Sequence, residues 1–209
     1  MITLYGFPNS RSLRAAWTLE ELGVEYDYHS VDMMAAEGQG EAHLARHPDG
    51  KVPVLQDGEL TLFESSAICR YLAERYGEPG SLLPASMEGR ALVDQWMSFV
   101  VSELEQPLWT QAKHKFVLPR EQRVPAILPT AAWEFQRALG AVQRRFDGEG
   151  WLVGDGFTLA DLLLAHTLSW GVQFKHRLPD SLNDYRKRCM ARPALARAVE
   201  REKPAAEPS

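Results

Sequence analysis

The segment formed by residues 47–72, HPDGKVPVLQDGELTLFESSAICRYL, restricts the fold of this chain more than any other stretch. Two short apolar runs, residues 52–55 and 60–63, lie on either side of Asp57-Gly58. This dipeptide is typical of β-hairpin turns, because glycine adopts the positive φ that such turns need. The segment therefore predicts two antiparallel strands joined by a tight turn.

A helix is predicted directly after this hairpin. Residues 64–66, Glu-Ser-Ser, precede apolar side chains at helical spacing, namely Ile68, Leu72 and Tyr76. The first N–H groups of a helix have no partner within it, so they favour a bound carboxylate. Lys51 adds a positive charge close by in the sequence. The same residues also fit a plain helix cap and a surface lysine.

Pro53 lies inside the first apolar run, although a residue without an N–H cannot complete a strand ladder. A Val52–Pro53 bond that turns the chain just before a strand is a candidate for a cis peptide, although most X-Pro bonds are trans. A cis bond would leave the Val52 N–H and C=O facing outward. We therefore expect an edge there with which an extended peptide can pair.

The succession GKVP-V-L, then DG, then ES-S-AI-C-RYL resembles the glutathione-binding half of the cytosolic glutathione transferases. The resemblance implies that the Val52 backbone, next to Pro53, pairs with the cysteinyl unit of glutathione by strand addition. It implies that Glu64 and Ser65 hold the γ-glutamyl amine and carboxylate. It also implies that Lys51 faces the glycine carboxylate.

The first part of the chain completes the domain that this resemblance implies. Residues 2–5 form a strand pattern, a helix follows that Asn9 or Ser10 can cap and Gly23 ends, and residues 24–29 alternate like a half-buried strand. Strand, helix and strand suit a right-handed parallel crossover. With the hairpin and its helix they predict the thioredoxin-like layout, βαβ then ββα. Residues 32–47 predict a loop with one short helix. The resemblance makes Gln39 in this loop a weaker candidate than Lys51 for facing the glycine carboxylate of glutathione.

A Gly- and Pro-rich stretch, GEPGSLLP, follows and marks the predicted domain boundary. We predict a glutathione-binding α/β domain at residues 1–76, a linker at 77–85 and an all-helical domain at 86–209. Apolar spacing predicts long helices over residues 92–104, 133–146 and 159–170, shorter ones over 181–191 and 193–202, and a frayed tail at 203–209. An α/β domain followed by a helical one again resembles the glutathione transferases.

The third long helix opens with a capping box, Thr158-Leu-Ala-Asp161. It is similar to the GxxFTxADxxL signature of the same family, whose role is structural. We therefore predict that Asp161 nucleates this helix and is not catalytic. His166 lies on the apolar face and is predicted to be a core histidine.

The composition of the chain argues against several classes of function. The 209 residues are 45% hydrophobic and carry a net charge of −5 without a basic block, which argues against nucleic acid as a partner. The two cysteines, Cys69 and Cys189, have neither disulfide nor metal spacing, so we predict a reducing compartment and no metal. No stretch is apolar enough to span a membrane, and the N-terminus opens in a strand pattern without a signal peptide. These features predict a cytoplasmic protein.

Glutathione transferases lower the pKa of the glutathione thiol, because the thiolate is the nucleophile. A helix N-terminus and a hydrogen-bond donor to sulfur both do this. Here the sequence SRSLRA resembles the serine-type sites of the theta and zeta classes, with Arg14-Ala15 following the serine by four positions. The resemblance assigns Ser10 as the thiol donor, with Ser12 and Asn9 as alternatives. Tyr5, in the strand rather than the turn, is interpreted either as a packing residue or as a support for the residues that contact glutathione.

The beta class of bacterial transferases fits less well. That class has a cysteine in this turn, near the position of Arg11, and a histidine just after a Ser-Glu-Leu run, where this chain has Glu105. Chemistry through a cysteine of the protein itself is therefore disfavoured.

The resemblance implies that a hydrophobic electrophile is the second substrate and lies between the domains. Trp109, His114 and Phe116 form an aromatic and basic stretch that either lines this pocket or packs helices together. We predict a homodimeric glutathione transferase that needs glutathione as co-substrate and no metal. The alternatives are a glutathione-dependent disulfide reductase or peroxidase, and a non-catalytic binding protein of the same fold.

Overall fold

The computed structural model of the chain describes residues 1–203. It divides into two compact units: Met1–Ser81 with the described residues from Ala191 onward, and Leu82–Met190. Helix α9 (Pro193–Arg201) therefore belongs to the first unit, where it packs against helix α1 (Ser12–Leu22). The division into domains at residues 1–76 and 86–209, with a linker at 77–85, stays a prediction. The predicted frayed tail, apart from Lys203, lies outside the described residues.

The first unit is built on a mixed four-stranded sheet with the order β2-β1-β3-β4. Strand β1 pairs in parallel with β2 and antiparallel with β3, which pairs antiparallel with β4. This arrangement, with α1 between β1 and β2 and α3 after β4, confirms the predicted thioredoxin-like layout. The bounds are β1 Ile2–Gly6, β2 Tyr26–Ser30, α2 Glu41–Leu44, β3 Val54–Asp57, β4 Leu60–Phe63 and α3 Ser65–Tyr76.

The hairpin between β3 and β4 turns at Gly58, whose φ of 60° suits glycine. The apolar run predicted a strand from residue 52, but strand β3 begins at Val54. Pro53 has no N–H to contribute to the ladder, so pairing starts one residue later, where Val54 lies opposite Tyr5.

The second unit is helical within the described residues. Its helices are α4 Met87–Phe99, α5 Gln106–Ala112, α6 Leu128–Gln143, α7 Leu159–Gln173 and α8 Asp180–Met190. Val100–Glu105 and Lys113–Val117 are π-helical and continue α4 and α5. The core lies around α7, where ten of its residues are buried. No described helix has the length and apolar character needed to cross a bilayer.

The predicted capping box of α7 is present, and its carboxylate does more than cap. Asp161 accepts hydrogen bonds from the N–H and hydroxyl of Thr158, both at 2.8 Å, and from the N–H of Leu152 at 2.9 Å. It also accepts one from the buried Tyr185 hydroxyl at 2.7 Å. Asp161 thereby joins the start of α7 to α8 and to the preceding loop.

The apolar spacing that predicts a helix over residues 133–146 begins at Trp133 and includes Phe135, and these two side chains do not lie on one face. Trp133 is 63% exposed, whereas Phe135 is fully buried. Two residues apart on a helix differ in direction by about 200°, so both side chains cannot face the same core. Phe146 is buried as expected but lies beyond the end of α6.

Candidate functional site

The turn between β1 and α1 carries two serines with different surroundings. The half-buried Ser10 hydroxyl lies 2.6 Å from the Phe7 carbonyl and 2.9 Å from the Ser12 hydroxyl. It also accepts the Ser12 N–H at 3.1 Å. Ser12 is fully buried and accepts the Phe7 N–H at 3.2 Å, so its hydroxyl holds the turn together. Ser10 is therefore the more accessible hydroxyl at this helix N-terminus.

Neither predicted capping residue is the N-cap of α1. The helix begins at Ser12 and Arg11 occupies the cap position without a side-chain cap. Asn9 is exposed and turns the chain with a φ of 59°, a conformation that asparagine tolerates better than most residues. Ser10 nevertheless accepts the first helical N–H at its hydroxyl oxygen, while its hydroxyl proton is directed at the Phe7 carbonyl or at Ser12.

The predicted cis peptide bond between Val52 and Pro53 is present. The buried His43 ring approaches this segment and donates from Nε2 to the Lys51 carbonyl at 2.8 Å. Lys51 itself is exposed, and its ammonium lies 2.5 Å from Asp49. The Gln39 side chain also lies at this turn: its amide nitrogen occupies the space that a Cβ on Gly50 would need. Both residues proposed for the glycine carboxylate are thus near one turn.

The N-terminus of α3 joins a strained residue to a buried one. Glu64, at the N-cap, is exposed and has φ 69° and ψ 111°, which is unusual for a residue with a side chain. Such backbone strain clusters at binding and catalytic sites. Ser65 is buried, and its hydroxyl accepts a hydrogen bond from Nη1 of Arg14 at 3.3 Å. Helix α1, which follows the turn that carries Ser10, therefore contacts the start of α3.

Arg14 is the main residue that sequence reasoning missed. It was matched only as part of a motif, yet its side chain is fully buried. A guanidinium keeps its charge when buried, so a cation lies beneath two helix N-termini, which are themselves electropositive. The sequence does hold one sign of this burial: Arg14 lies three residues before Trp17, so both side chains fall on the same, buried face of α1. His43, in a polar loop, gave no such signal.

Cys69 is unsuited to nucleophilic chemistry. Burial raises the pKa of its thiol to about 11, although the Thr18 hydroxyl and the Arg14 charge oppose the rise. Cys189 is likewise a buried thiol. Within residues 1–203, no three or more His, Cys, Asp or Glu side chains are grouped to hold a metal ion.

The residues proposed for the hydrophobic substrate lie in the second unit. Trp109 is half-buried in α5, and His114 lies in the π-helical continuation, where its Nδ1 accepts the Val124 N–H at 3.1 Å. Phe116 is 59% exposed and contacts Phe174 edge to face, with ring centroids 6.3 Å apart. These side chains follow one continuous helical stretch, and the structure does not assign them a ligand.

Two family models match the chain: "Glutathione S-transferase, N-terminal domain" over residues 1–74, and "Glutathione S-transferase, C-terminal domain" over residues 106–193. Glutathione S-transferase F10 of Arabidopsis thaliana is 33% identical over 166 residues, which cover 78% of this chain and 77% of that protein. The solved glutathione transferase of Methylococcus capsulatus is 29% identical, with a TM-score of 0.84 over 97% of this chain and 98% of its own. Ure2p in complex with glutathione, at 21% identity, shares the fold, with a TM-score of 0.85 over 95% and 93%.

Proposed function

The chain is an enzyme of the glutathione S-transferase family, and we propose that Ser10 holds the glutathione thiol as a thiolate for attack on a hydrophobic electrophile. With an aryl halide, a sulfur–carbon bond forms while the carbon–halogen bond breaks. The halide leaves, and the thiol proton passes to solvent. The side chains of the protein need contribute only binding, orientation and stabilisation of the thiolate.

The contact between Arg14 and Ser65 is the observation that carries this proposal. It joins the turn that presents Ser10 to the start of α3, 51 residues further along the chain. A tripeptide with a central thiol and a terminal amino-acid group needs recognition at both places at once. The buried cation supports a thiolate at one helix N-terminus and a carboxylate at the other.

The remaining glutathione contacts are proposed as the resemblance implies. The backbone of Val52, beside Pro53, would pair with the cysteinyl unit, and Glu64 and Ser65 would hold the γ-glutamyl end. Lys51 would face the glycine carboxylate. In support, its carbonyl accepts a hydrogen bond from His43, while its exposed side chain pairs with an exposed aspartate.

Ser10 fits the thiol role because of how its hydroxyl is bonded. Its oxygen accepts an N–H from the first turn of α1, which polarises the O–H bond, and its proton now points to a carbonyl or to Ser12. Rotation toward a bound sulfur exchanges one acceptor for another. A serine-type site is thus the proposal. Its closer assignment to the theta or zeta class rests on the sequence resemblance alone.

Three further proposals concern the surface that binds the electrophile, the oligomeric state and the cellular location. Trp109 and His114, with Phe116, are the proposed hydrophobic-substrate surface. We also propose a homodimer in which the edge strand β4 takes part, since its Leu60 and Phe63 are 41% and 42% exposed. Light scattering that gives a monomer at micromolar concentration would refute the dimer. The cytoplasmic location stays a prediction that cell fractionation tests.

The proposal is tested by supplying reduced glutathione with two different acceptors. We expect turnover with a halogenated aromatic compound and little turnover with a mixed disulfide of glutathione. The opposite preference would favour the disulfide reductase. Glutathione binding without turnover on any electrophile would favour the non-catalytic binding protein.

A further inference from the structure

The end of α9 places a buried carboxyl against the turn that carries Ser10. Glu202, the first residue after α9, is only 4% exposed. The groups that act on it are the backbone N–H of Asn9, in the Ser10 turn, and the hydroxyl of Tyr28 in β2, and both lower its pKa. Burial outweighs them and raises the Glu202 pKa to about 8. This carboxyl is therefore largely protonated at neutral pH.

The Tyr28 hydroxyl is the second member of this group and lies directly on the turn. A Cβ added to Gly6 would lie 2.5 Å from that hydroxyl and 2.8 Å from the Cβ of Ser12. Glycine at position 6 is thus required for Tyr28 to reach this depth. Among the described residues, neither the Tyr28 hydroxyl nor Oε1 of Glu202 completes a hydrogen bond, although the two groups are close enough for each to shift the pKa of the other.

Charged neighbours on α9 and β2 do not neutralise this carboxyl. Arg201 lies 3.7 Å from Glu20 and 3.6 Å from Glu25, with its guanidinium over the Tyr26 ring. Lys203 pairs with Glu200. Tyr26 donates to Glu20 and lies on the same strand as Tyr28. Burying a carboxyl costs free energy of folding unless the carboxyl is hydrogen-bonded. The position of Glu202 against the Ser10 turn therefore calls for a role.

We propose that Glu202 is a positioning residue for thiol activation: with Tyr28, it holds the turn at Asn9 so that the adjacent Ser10 hydroxyl meets the glutathione sulfur. This inference rests on the proposed function. The role requires the protonated carboxyl to close a hydrogen bond with the Tyr28 hydroxyl while its other oxygen faces the Asn9 N–H. Loss of this support lets the turn move, which misplaces the Ser10 hydroxyl without removing any group that touches glutathione.

Two substitutions and one control test the proposal on the full chain with reduced glutathione. Glu202→Ala should raise the pKa of the bound thiol toward that of free glutathione and lower kcat about tenfold, as for one positioned hydrogen bond. Its Kd for glutathione should stay within about twofold of the original. Glu202→Gln, which mimics the protonated carboxyl, should restore kcat and the thiol pKa. Glu200→Ala, on the exposed face of α9, should change neither.

A readout without substrate separates positioning from packing. The amide NMR signal of Asn9 should titrate with an inflection near the Glu202 pKa in the original chain and stay constant in Glu202→Gln. If Glu202→Ala does not fold, Tyr28→Phe replaces it and should raise the thiol pKa in the same direction.

The outcomes distinguish this inference from the proposed function. An Asn9 signal that does not titrate, or a Glu202→Ala enzyme with the original thiol pKa and kcat, overturns the positioning role alone. A Glu202→Gln variant as impaired as Glu202→Ala also overturns it. If the original chain binds glutathione without lowering its thiol pKa, the proposed function itself fails, and the role of Glu202 in it fails as well.

Discussion

Nη1 of Arg14 lies 3.3 Å from Oγ of Ser65, and this contact connects the starts of two helices that are 51 residues apart in sequence. Both side chains are buried, the arginine completely. A charged donor bonded to a hydroxyl fixes that hydroxyl in one direction. Ser65 therefore presents its backbone N–H and its oxygen in a constant geometry at the N-terminus of α3.

Ser65→Ala should weaken glutathione binding about tenfold, which corresponds to about 1.4 kcal/mol. The substitution removes a proposed ligand contact and leaves a buried charged donor without this acceptor. Isothermal titration calorimetry measures the change. Ser66→Ala, at the next position of the same helix, is the matched control and should bind glutathione normally. Equal affinities in the two variants would remove Ser65 from the proposed site.

Glu64→Gly should have a free energy of unfolding about 1 kcal/mol higher than Glu64→Ala. Glycine accepts the φ of 69° at this position without strain, whereas alanine does not. Urea unfolding of the two variants measures the difference. Both variants should bind glutathione more weakly than the original chain, because both lack the carboxylate. Equal stabilities would show that the backbone at this position is not strained.

Asp161→Ala should destabilise the second unit by about 3 kcal/mol or more, because three buried or half-buried donor residues lose one common acceptor. Tyr185→Phe removes only one of these bonds and should cost about 1 kcal/mol. Thermal and urea unfolding followed by circular dichroism measure both effects. If the two variants lost the same stability, the shared carboxylate would not be the centre of this network.

Glu202→Gln should be more stable than the original chain at pH 9 and equally stable at pH 4. The folded-state pKa of Glu202 is about 8 against an ordinary value of 4.5. A raised pKa means that the folded state favours the protonated form, so the original chain loses stability as the pH rises from about 4.5 to 8. Glutamine has no proton to lose. Unfolding free energies across this range measure the effect, and parallel pH profiles would contradict it.

Local signals in the sequence predicted much of the first unit. The Asp57-Gly58 turn, the helix after Glu64 and the cis bond at Pro53 each depend on a few neighbouring residues, and each is present. The start of β3 was misplaced because apolar residues alone do not show which of them have a partner strand.

Long-range contacts could not be predicted in the same way. Glu202 lies in a polar segment, and nothing local indicates that folding leaves it only 4% exposed. For Arg14, the position three residues before Trp17 is a weak signal, because arginine is rarely buried completely. The motif therefore predicts Ser10 and Ser65 as site residues, while the burial of Arg14 and Glu202 beneath them is visible only in the fold. The exposed Trp133 shows the opposite error, since a large apolar side chain is not always buried.

The central claim is that Ser10 activates the thiol, and ultraviolet titration of glutathione bound to Ser10→Ala tests it most directly. We expect the thiol pKa to rise by at least about 1, which means about tenfold less thiolate near neutral pH. The Kd for glutathione should change little, since the other contacts remain. An unchanged thiol pKa in Ser10→Ala, with the rise found instead in Ser12→Ala, would contradict the assignment of this role to Ser10.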